Sequence, residues 1–231
     1  FHARENHSAV NLVWLLTEGT VHSYLDHLLA LTEMGEKEKF PVKMHLFADG
    51  KDGTPFRLEK ALKKIPREKL ATLMGRYYGM DRDNHWDRTE KAYALLLGQG
   101  QIVNEPEEAL KKTYARELND EFVEPSIIKE THPIQDNDAL IFFNFREDRM
   151  RQIAEPFISP NFDKFPIKKL ENITVVSMTE YREDFKIPVA FPREAVEKPL
   201  GLVLAENKKT QLRIAETEKY AHVTYFFNGL K

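Results

Sequence analysis

Cysteine is absent from this chain of 231 residues, and its absence excludes disulfide bonds, thiolate metal sites and a cysteine nucleophile. Long apolar runs are absent as well, since none approaches the roughly 20 residues that span a bilayer. The first residues carry neither the basic nor the apolar region of a secretion signal. These absences predict a cytoplasmic protein that binds no membrane.

An excess of charge of one sign is also lacking. The chain has 34 Lys and Arg residues against 37 Asp and Glu residues, a formal net charge of −3. A nearly neutral protein has no overall field that attracts nucleic acid, so any site for an anion must be local. The apolar fraction of 42% and the charged fraction of 31% are typical of a folded globular protein. We expect a monomer that binds no nucleic acid.

Short apolar runs alternate with helical patterns along the chain. The runs cover residues 10–17, 42–47, 71–78, 139–145 and 173–178. Helical patterns cover residues 25–31, 58–65, 86–97 and 105–118. Strands that alternate with helices usually form a parallel sheet. The sequence therefore predicts an α/β fold: an open, mostly parallel sheet with helices on both faces, in three α/β/α layers.

Polar clusters follow four of the predicted strands, at residues 18–22, 49–52, 76–82 and 146–149. Open parallel sheets bind ligands at the carboxyl ends of their strands. We therefore expect these four loops to converge on one crevice.

The sequence also predicts a domain boundary near residue 185. Residues 186–192 follow a charged, aperiodic stretch and contain two prolines, which predicts a linker between a domain over 1–185 and a segment over 193–231. The predicted elements of that segment are a helix over 194–205, a strand over 211–215 and a helix from Lys219. It is too short to bury a core of its own. Because the chain also begins without Met, we expect it to be a piece of a longer protein.

Residues 75–88 combine arginines with acids and aromatic rings. Guanidinium groups such as those of Arg76 and Arg82 bind carboxylate or phosphate in bidentate fashion, and neighbouring carboxylates can hold them in place. The segment predicts an anion site. A solvated turn with surface ion pairs has the same composition and remains the alternative.

A second pair of arginines, Arg146 and Arg149, stands where the predicted strand over 139–145 meets a predicted helix. Their spacing would place both on one face of that helix, and helix N-termini attract anions. Pairing with Glu147 or Asp148 is the alternative.

The loop after the second predicted strand offers a cation and an acid. Lys51 supplies a point charge, and Asp52 can remove a proton from a hydroxyl that lies against it. An ordinary glycine turn has the same residues. His22, after the first strand, can donate to an anionic oxygen. His22 and Asp26 have the spacing of a metal pair, but two ligands without further candidates do not make a metal site.

These segments together resemble the cofactor-independent phosphoglycerate mutases. Residues 19–23 resemble the family's GGVHSH loop, and residues 49–52 its DGRD loop. Residues 75–88 are close to GRYYxMDRDxRWDR, residues 142–149 to FFNFRxDR, and residues 215–222 to AETEKYAH. The five matches occur in order and together extend over nearly the whole chain. This is expected of the family's inserted substrate-binding domain, followed by the point where the chain returns into a phosphatase-like domain.

The resemblance implies an isomerase of glycolysis and gluconeogenesis that interconverts 3-phosphoglycerate and 2-phosphoglycerate through a phosphoserine intermediate. The implied substrate-binding residues are His22, Lys51, Asp52, Arg76, Arg82, Arg146 and Arg149. The implied catalytic residues are Asp52, at the substrate hydroxyls, and Lys219, near the phosphoryl group. The family's serine nucleophile and the ligands of its two Mn²⁺ or similar ions are not found in these residues. We therefore expect no metal site in this chain, a phosphatase-like domain of the parent protein as its partner, and no mutase activity of the chain alone.

Several residues depart from the family pattern. Lys51 replaces the usual arginine, Gly53 is inserted beside it, Trp14 stands at a usual glycine, and residues 16–20 replace LLSDGG. The altered loops motivate a second hypothesis, a non-catalytic module that binds phosphorylated metabolites.

A third hypothesis is nucleic-acid binding, in which charge and stacking come from the arginines and aromatic rings of one segment. Its residues are Arg76, Tyr77, Tyr78, Arg82 and Trp86. The net charge of −3 disfavours it.

Overall fold

The computed structural model describes residues 1–129, 131, 133–194 and 196–229. The strands are β1 (Val10–Leu16), β2 (Val42–Ala48), β3 (Leu70–Gly75), β4 (Gln101–Val103), β5 (Ser126–Ile128), β6 (Ala139–Phe142), β7 (Thr174–Thr179) and β8 (Val189–Phe191). The α-helices are α1 (His2–Glu5), α2 (Leu25–Glu38), α3 (Leu58–Leu62), α4 (Arg76–Gly79), α5 (Trp86–Leu96), α6 (Pro106–Tyr114), α7 (Arg151–Ile158) and α8 (Leu200–Glu206). Short 3-10 helices cover Arg67–Lys69, Asp120–Phe122 and Thr217–Lys219, and a π-helix covers His222–Phe226.

All eight strands belong to one open sheet, in the order β4-β5-β3-β2-β1-β6-β7-β8. The six strands from β3 to β8 in that order pair in parallel, whereas β5 pairs antiparallel with β3 and parallel with β4. The carboxyl ends of β3, β2, β1 and β6 therefore lie next to one another. The predicted α/β fold with a mostly parallel sheet is confirmed.

Both faces of the sheet are covered, because every residue of β1 is buried. Alternate residues of β1 enter different cores: Leu12, Trp14 and Leu16 pack in one, and Val13 and Leu15 in the other. Helices α2, α3 and α6 contribute to the first core, and α5 and α7 to the second. The result is the three-layer arrangement.

The five predicted strands correspond to β1, β2, β3, β6 and β7. The sequence did not predict β4, β5 and β8, which are only three residues long. A three-residue strand has too little length for an alternating pattern, and its pairing depends on a partner distant in sequence. The antiparallel β5 begins directly after Pro125.

The chain divides into two compact units, Phe1–Phe191 and Pro192–Lys231. Part of the predicted linker over 186–192 belongs to the first unit, because Val189–Phe191 form β8 and pair with β7. The predicted helix over 194–205 includes residue 195, which lies outside the described residues. Among the described residues of this range, the helix begins at Leu200, after Pro199. Proline disfavours the helical conformation of the residue before it. Residues 211–215, predicted as a strand, form no strand in the described structure.

None of the helices in the described part of the chain combines the length and the apolar character that crossing a membrane requires.

Candidate functional site

The loops that follow β1, β2, β3 and β6 meet at one edge of the sheet. Contacts between charged side chains connect them, among them those of His22 with Asp52, of Arg76 with Asp52, and of Arg82 with Asp148. Parallel strands with adjacent carboxyl ends bring their following loops together, whatever the sequence distance between them. Residues as far apart in the sequence as His22 and Asp148 thus share one site.

Asp49 fixes the loop after β2. Its Oδ1 accepts hydrogen bonds from the backbone N–H groups of Lys51 and Asp52 at 3.2 and 2.9 Å, and its Oδ2 accepts one from Gly53 N–H at 2.8 Å. The Thr17 hydroxyl donates to the same buried carboxylate at 2.6 Å. The side chain of Asp49 therefore holds the backbone that carries Asp52, and Thr17 supplies a hydroxyl in the altered first loop.

Arg76 connects this loop to β3. Its Nη1 lies 2.7 Å from Oδ1 of Asp49 and 2.7 Å from Oδ1 of Asp52, and its side chain is only 3% exposed. Gly75 ends β3 immediately before it, at a close approach to the 3-10 helix over 120–122. A Cβ on Gly75 would lie 1.9 Å from the carbonyl oxygen of Glu121. Only glycine fits there, and the fit sets where Arg76 enters the site.

Asp52 and His22 form an adjacent charged pair. His22 Nδ1 lies 2.6 Å from Oδ2 of Asp52, and both side chains are buried. Burial raises the pKa of Asp52, but hydrogen bonds from His22 and Arg76 outweigh burial and lower the pKa to about 2. Asp52 is therefore a carboxylate at neutral pH. An acid–histidine pair of this kind can receive a proton from a hydroxyl and return it.

Asp148, in the loop after β6, lies between three cationic groups. Its Oδ2 accepts a hydrogen bond from Arg82 Nη1 at 2.6 Å. Its Oδ1 lies 3.2 Å from Arg146 Nε and 3.6 Å from His22 Nε2. Burial raises the pKa of Asp148, but His22, Arg82 and Arg146 lower it well below its usual range.

The loop after β6 is not helical at the predicted position. Helix α7 begins only at Arg151, so the prediction that Arg146 and Arg149 lie on one helical face is wrong. The backbone just before Arg146 forms a hydrogen bond to another loop instead, because Phe145 N–H donates to the His22 carbonyl at 2.9 Å. The Asn144 side chain accepts a hydrogen bond from Leu15 N–H at 3.0 Å. These bonds pin the end of β6 to β1.

The remaining arginines differ in their exposure. The side chains of Arg82 and Arg146 are 45% and 44% exposed, so a dissolved anion can reach them. Arg149 is half-buried, and its Nη1 donates to the carbonyl oxygen of Met80 at 3.0 Å. Burial lowers the pKa of Arg149, and the nearby cations Arg82 and Arg76 lower it further. The site therefore combines buried and exposed cations, which suits a ligand with more than one anionic group.

Two predicted site residues stand apart from this network. Lys51 is 59% exposed, and its Nζ lies 3.8 Å from Glu121 Oε1. Lys219 belongs to the second unit, where its Nζ donates to Glu216 Oε1 at 3.1 Å. Among the departures from the family pattern, Trp14 is fully buried and stacks on Phe143 with ring centroids 5.4 Å apart.

Two aspartates of the site were not predicted from the sequence. Asp49 follows a buried strand and precedes glycine, a pattern that marks a turn but does not show which backbone groups its carboxylate will accept. Asp148 was considered only as a surface partner of the arginines. Its contact with His22 joins residues 126 positions apart in the sequence, which only the fold brings together.

The aromatic segment after β3 does not form a stacking platform. Arg76 and Tyr78 are buried, and the guanidinium of Arg88 covers the Tyr77 ring at 4.0 Å from its centroid. Bases stack on exposed rings, so this geometry disfavours the nucleic-acid hypothesis.

A group of Asp81, Asp83 and His85 has ligand atoms within 4.8 Å of one another. The carboxylate of Asp81 already has hydrogen-bond donors. Its Oδ1 accepts from the backbone N–H groups of Asp83 and His85, and its Oδ2 lies 2.9 Å from His85 Nδ1. Arg88 Nη1 lies 3.3 Å from the same Oδ2. A carboxylate occupied by donors and an adjacent guanidinium do not fit a divalent cation such as Mn²⁺.

Comparison with known proteins gives a consistent result. A family model described as "BPG-independent PGAM N-terminus" matches residues 1–183. The 2,3-bisphosphoglycerate-independent phosphoglycerate mutases of Escherichia coli (strain K12) and Shigella flexneri are each 46% identical over 241 residues, covering 98% of this chain and 47% of the relative. The chain thus spans about half the length of these curated relatives.

A solved structure supports the same relationship. The phosphoglycerate mutase of Leishmania mexicana, crystallised at low cobalt concentration, aligns with a TM-score of 0.75 and 28% identity. The alignment covers 97% of this chain and 45% of that one.

Proposed function

Because this chain belongs to the BPG-independent phosphoglycerate mutase N-terminus family, we propose that it holds phosphoglycerate while the phosphoryl group moves between two hydroxyls. The parent protein would interconvert 3-phosphoglycerate and 2-phosphoglycerate through a phosphoserine, as an isomerase of glycolysis and gluconeogenesis. The observation that carries the proposal is the meeting of four loops in one network, with Arg82 and Arg146 left accessible at its surface.

Each side chain has a role that follows from its environment. Arg82, Arg146 and Arg149 bind the carboxylate and the phosphate of the ligand, because guanidinium groups match both in geometry and charge. Arg76 is buried against the carboxylates of Asp49 and Asp52. It therefore holds Asp52 in position and adds a buried positive charge to the site. Lys51 is exposed at the mouth of the loop and contributes a point charge.

Asp52 and His22 handle the proton of the substrate hydroxyl. When a hydroxyl of glycerate accepts the phosphoryl group, its proton must leave, and it must return when the hydroxyl is released. The Asp52–His22 pair, joined at 2.6 Å, provides an acceptor and a donor in one unit. The surrounding arginines stabilise the charge that spreads over the phosphoryl oxygens.

The remaining chemistry belongs to the part of the protein outside this chain. We assign to it the serine nucleophile and the two Mn²⁺ or similar divalent ions, since the chain spans about half of its relatives. Lys219, in the second unit of this chain, would act together with that part, near the phosphoryl group. Binding without conversion is accordingly the function expected of this chain alone.

Thermal unfolding in the presence of ligands tests this function. At a ligand concentration of about 100 Kd, binding to the native state alone stabilises it by about 2.7 kcal/mol, which raises Tm by roughly 5–10 °C for a chain of this size. We expect that increase with 3-phosphoglycerate, a smaller one with glycerate or inorganic phosphate, and no 2-phosphoglycerate in a parallel NMR assay. Equal increases with phosphoglycerate and phosphate would reduce the site to a general anion site. Conversion by the chain alone would contradict the assignment of the nucleophile.

A further inference from the structure

His22 stands between two carboxylates rather than one. Its Nδ1 lies 2.6 Å from Asp52, on the loop after β2, and its Nε2 lies 3.6 Å from Asp148, on the loop after β6. A neutral imidazole has one N–H donor, whereas an imidazolium has two. Only the cation can serve acceptors on both sides of the ring.

The two atoms that face each other on the Asp148 side are buried and lack another hydrogen-bond partner among the described residues. They are His22 Nε2 and Asp148 Oδ1. Buried polar atoms usually find a partner. His22 Nε2 lies 3.6 Å from Asp148 Oδ1, and Arg146 Nε lies 3.2 Å from the same oxygen. A small shift of the loop after β6 completes the hydrogen bond.

The same carboxylate orders two of the cations that the proposed ligand would use. Asp148 receives Arg82 from the loop after β3 and Arg146 from its own loop. These two side chains are long and partly exposed. Without an anion between them, their positive charges would repel one another and the two guanidinium groups would no longer be held at one place. Asp148 gives both a fixed point on the side of His22.

We propose that Asp148 is a positioning residue of this site, whose carboxylate keeps His22 in its imidazolium form and aligns Arg82 and Arg146 beside it. The inference rests on the proposed function for its purpose, because an additional cation at His22 strengthens the binding of a ligand with two anionic groups. Asp148 itself touches no substrate in this account; it acts through the three side chains that it holds.

The electrostatic surroundings of His22 agree with this assignment. Burial lowers the pKa of His22, the carboxylates of Asp148 and Asp52 raise it by more, and Arg76 lowers it slightly, so the pKa is raised overall. Arg82 and Arg146 each pair with Asp148. Removing the charge of Asp148 would leave Asp52 alone to oppose burial and the positive charge of Arg76.

The test is a pH titration of the ligand-free chain by histidine NMR, with His22→Gln to assign the resonance. In Asp148→Asn, which keeps the shape of the side chain, we expect the His22 midpoint to fall below its wild-type value. Asp184→Asn is the matched control, because it removes an exposed carboxylate that pairs with Arg182, and it should leave the midpoint unchanged. An unchanged midpoint in Asp148→Asn would overturn the proposal.

A second measurement keeps the proposal testable if Asp148→Asn does not fold. In the wild-type chain, a His22 midpoint at or below the ordinary value of 6.5 would overturn it. Phosphoglycerate titrations at a series of pH values then separate the two proposals. Affinity should decrease as the pH rises and His22 loses its proton, and this decrease should occur at a lower pH in Asp148→Asn than in the wild type. If the wild-type chain binds no phosphoglycerate, the proposed function fails, while the ligand-free NMR result still decides the role of Asp148.

Discussion

Asp52 is the residue on which most of the site's electrostatics depend. Its carboxylate accepts hydrogen bonds from His22 and Arg76, and its side chain is 9% exposed. A depressed pKa means that the native state holds the charged carboxylate more tightly than the unfolded chain does. The site thus contributes to the stability of the native state, in addition to the ligand binding that we propose for it.

We expect Asp52→Asn to lower the free energy of unfolding by on the order of 2 kcal/mol near neutral pH. Because the native pKa of about 2 lies below the ordinary 3.8, this contribution is present above pH 3.8 and is lost as the pH falls towards about 2. Urea unfolding at about pH 5 and about pH 2.5 should show a difference between wild type and variant that shrinks at the lower pH.

Asp163→Asn is the control for that measurement, since Asp163 is exposed and pairs with Lys164 at the surface. It should change stability little at either pH. A cost of Asp52→Asn that stays constant between the two pH values would show that the side chain acts by shape rather than by charge.

The sequence predicts which residues belong to the site better than it predicts which of their side chains contact one another. The arginines were found because guanidinium groups in turns after buried strands are typical of anion sites. Arg76 is buried where it pairs with Asp52, whereas Arg82 is partly exposed where it pairs with Asp148. This difference depends on the packing of three loops. No local pattern distinguishes these two positions.

At the scale of elements, the site depends on where β3 ends. Gly75 is the last residue of β3, and its N–H donates to the Val123 carbonyl at 2.7 Å. The backbone of Glu121 passes so close that no side chain fits at Gly75. This contact couples the 3-10 helix over 120–122 to the start of α4, which carries Arg76.

We expect Gly75→Ala to destabilise the chain by about 1–3 kcal/mol, the usual cost of overpacking a rigid interior. The shifted strand end should also weaken phosphoglycerate binding, because Arg76 moves with it. Chemical denaturation and calorimetric titration of the same preparation measure the two effects.

Gly53→Ala is the matched glycine variant, since an added Cβ there meets its nearest atom, Oδ2 of Asp49, at an ordinary 3.4 Å. It should be close to neutral in stability. If Gly75→Ala were equally neutral, the close approach of β3 to Glu121 would not control the position of Arg76.

The elements themselves were predictable in proportion to their length. Strands of four to seven residues buried on both faces, such as β1 and β6, leave apolar runs in the sequence. The three-residue β8 has no such run, and it exists because β7 offers a free edge for pairing. The turn over 146–150 was predicted as helix because its composition permits a helix, whereas its hydrogen bonds to the β1 loop prevent one.

At the scale of the whole molecule, the two units differ in how well they bury their apolar side chains. The first unit covers both faces of its sheet. The second unit leaves large apolar side chains exposed, among them Leu212 at 87% and Ile214 at 83%. Exposed apolar side chains in such number mark an interaction surface, which agrees with a further domain in the parent protein.

The fold of the whole could be predicted because two independent lines led to it. Alternating apolar runs and helical patterns gave the parallel sheet, and the ordered motifs gave the family. The division between the units was harder to place, since prolines and charges suggested a linker where the sheet adds its last strand.

We propose that the loops after four parallel strands form one site for phosphoglycerate. Calorimetric titration with 3-phosphoglycerate tests it most directly, comparing the wild-type chain with an Arg146→Ala, Arg149→Ala double variant. An Arg4→Ala, Arg116→Ala variant is the control, because it removes two arginines that pair with Glu38 and Glu124, away from the site. We expect binding by the wild type and the control and none by the Arg146, Arg149 variant. Equal binding by all three folded proteins would contradict it.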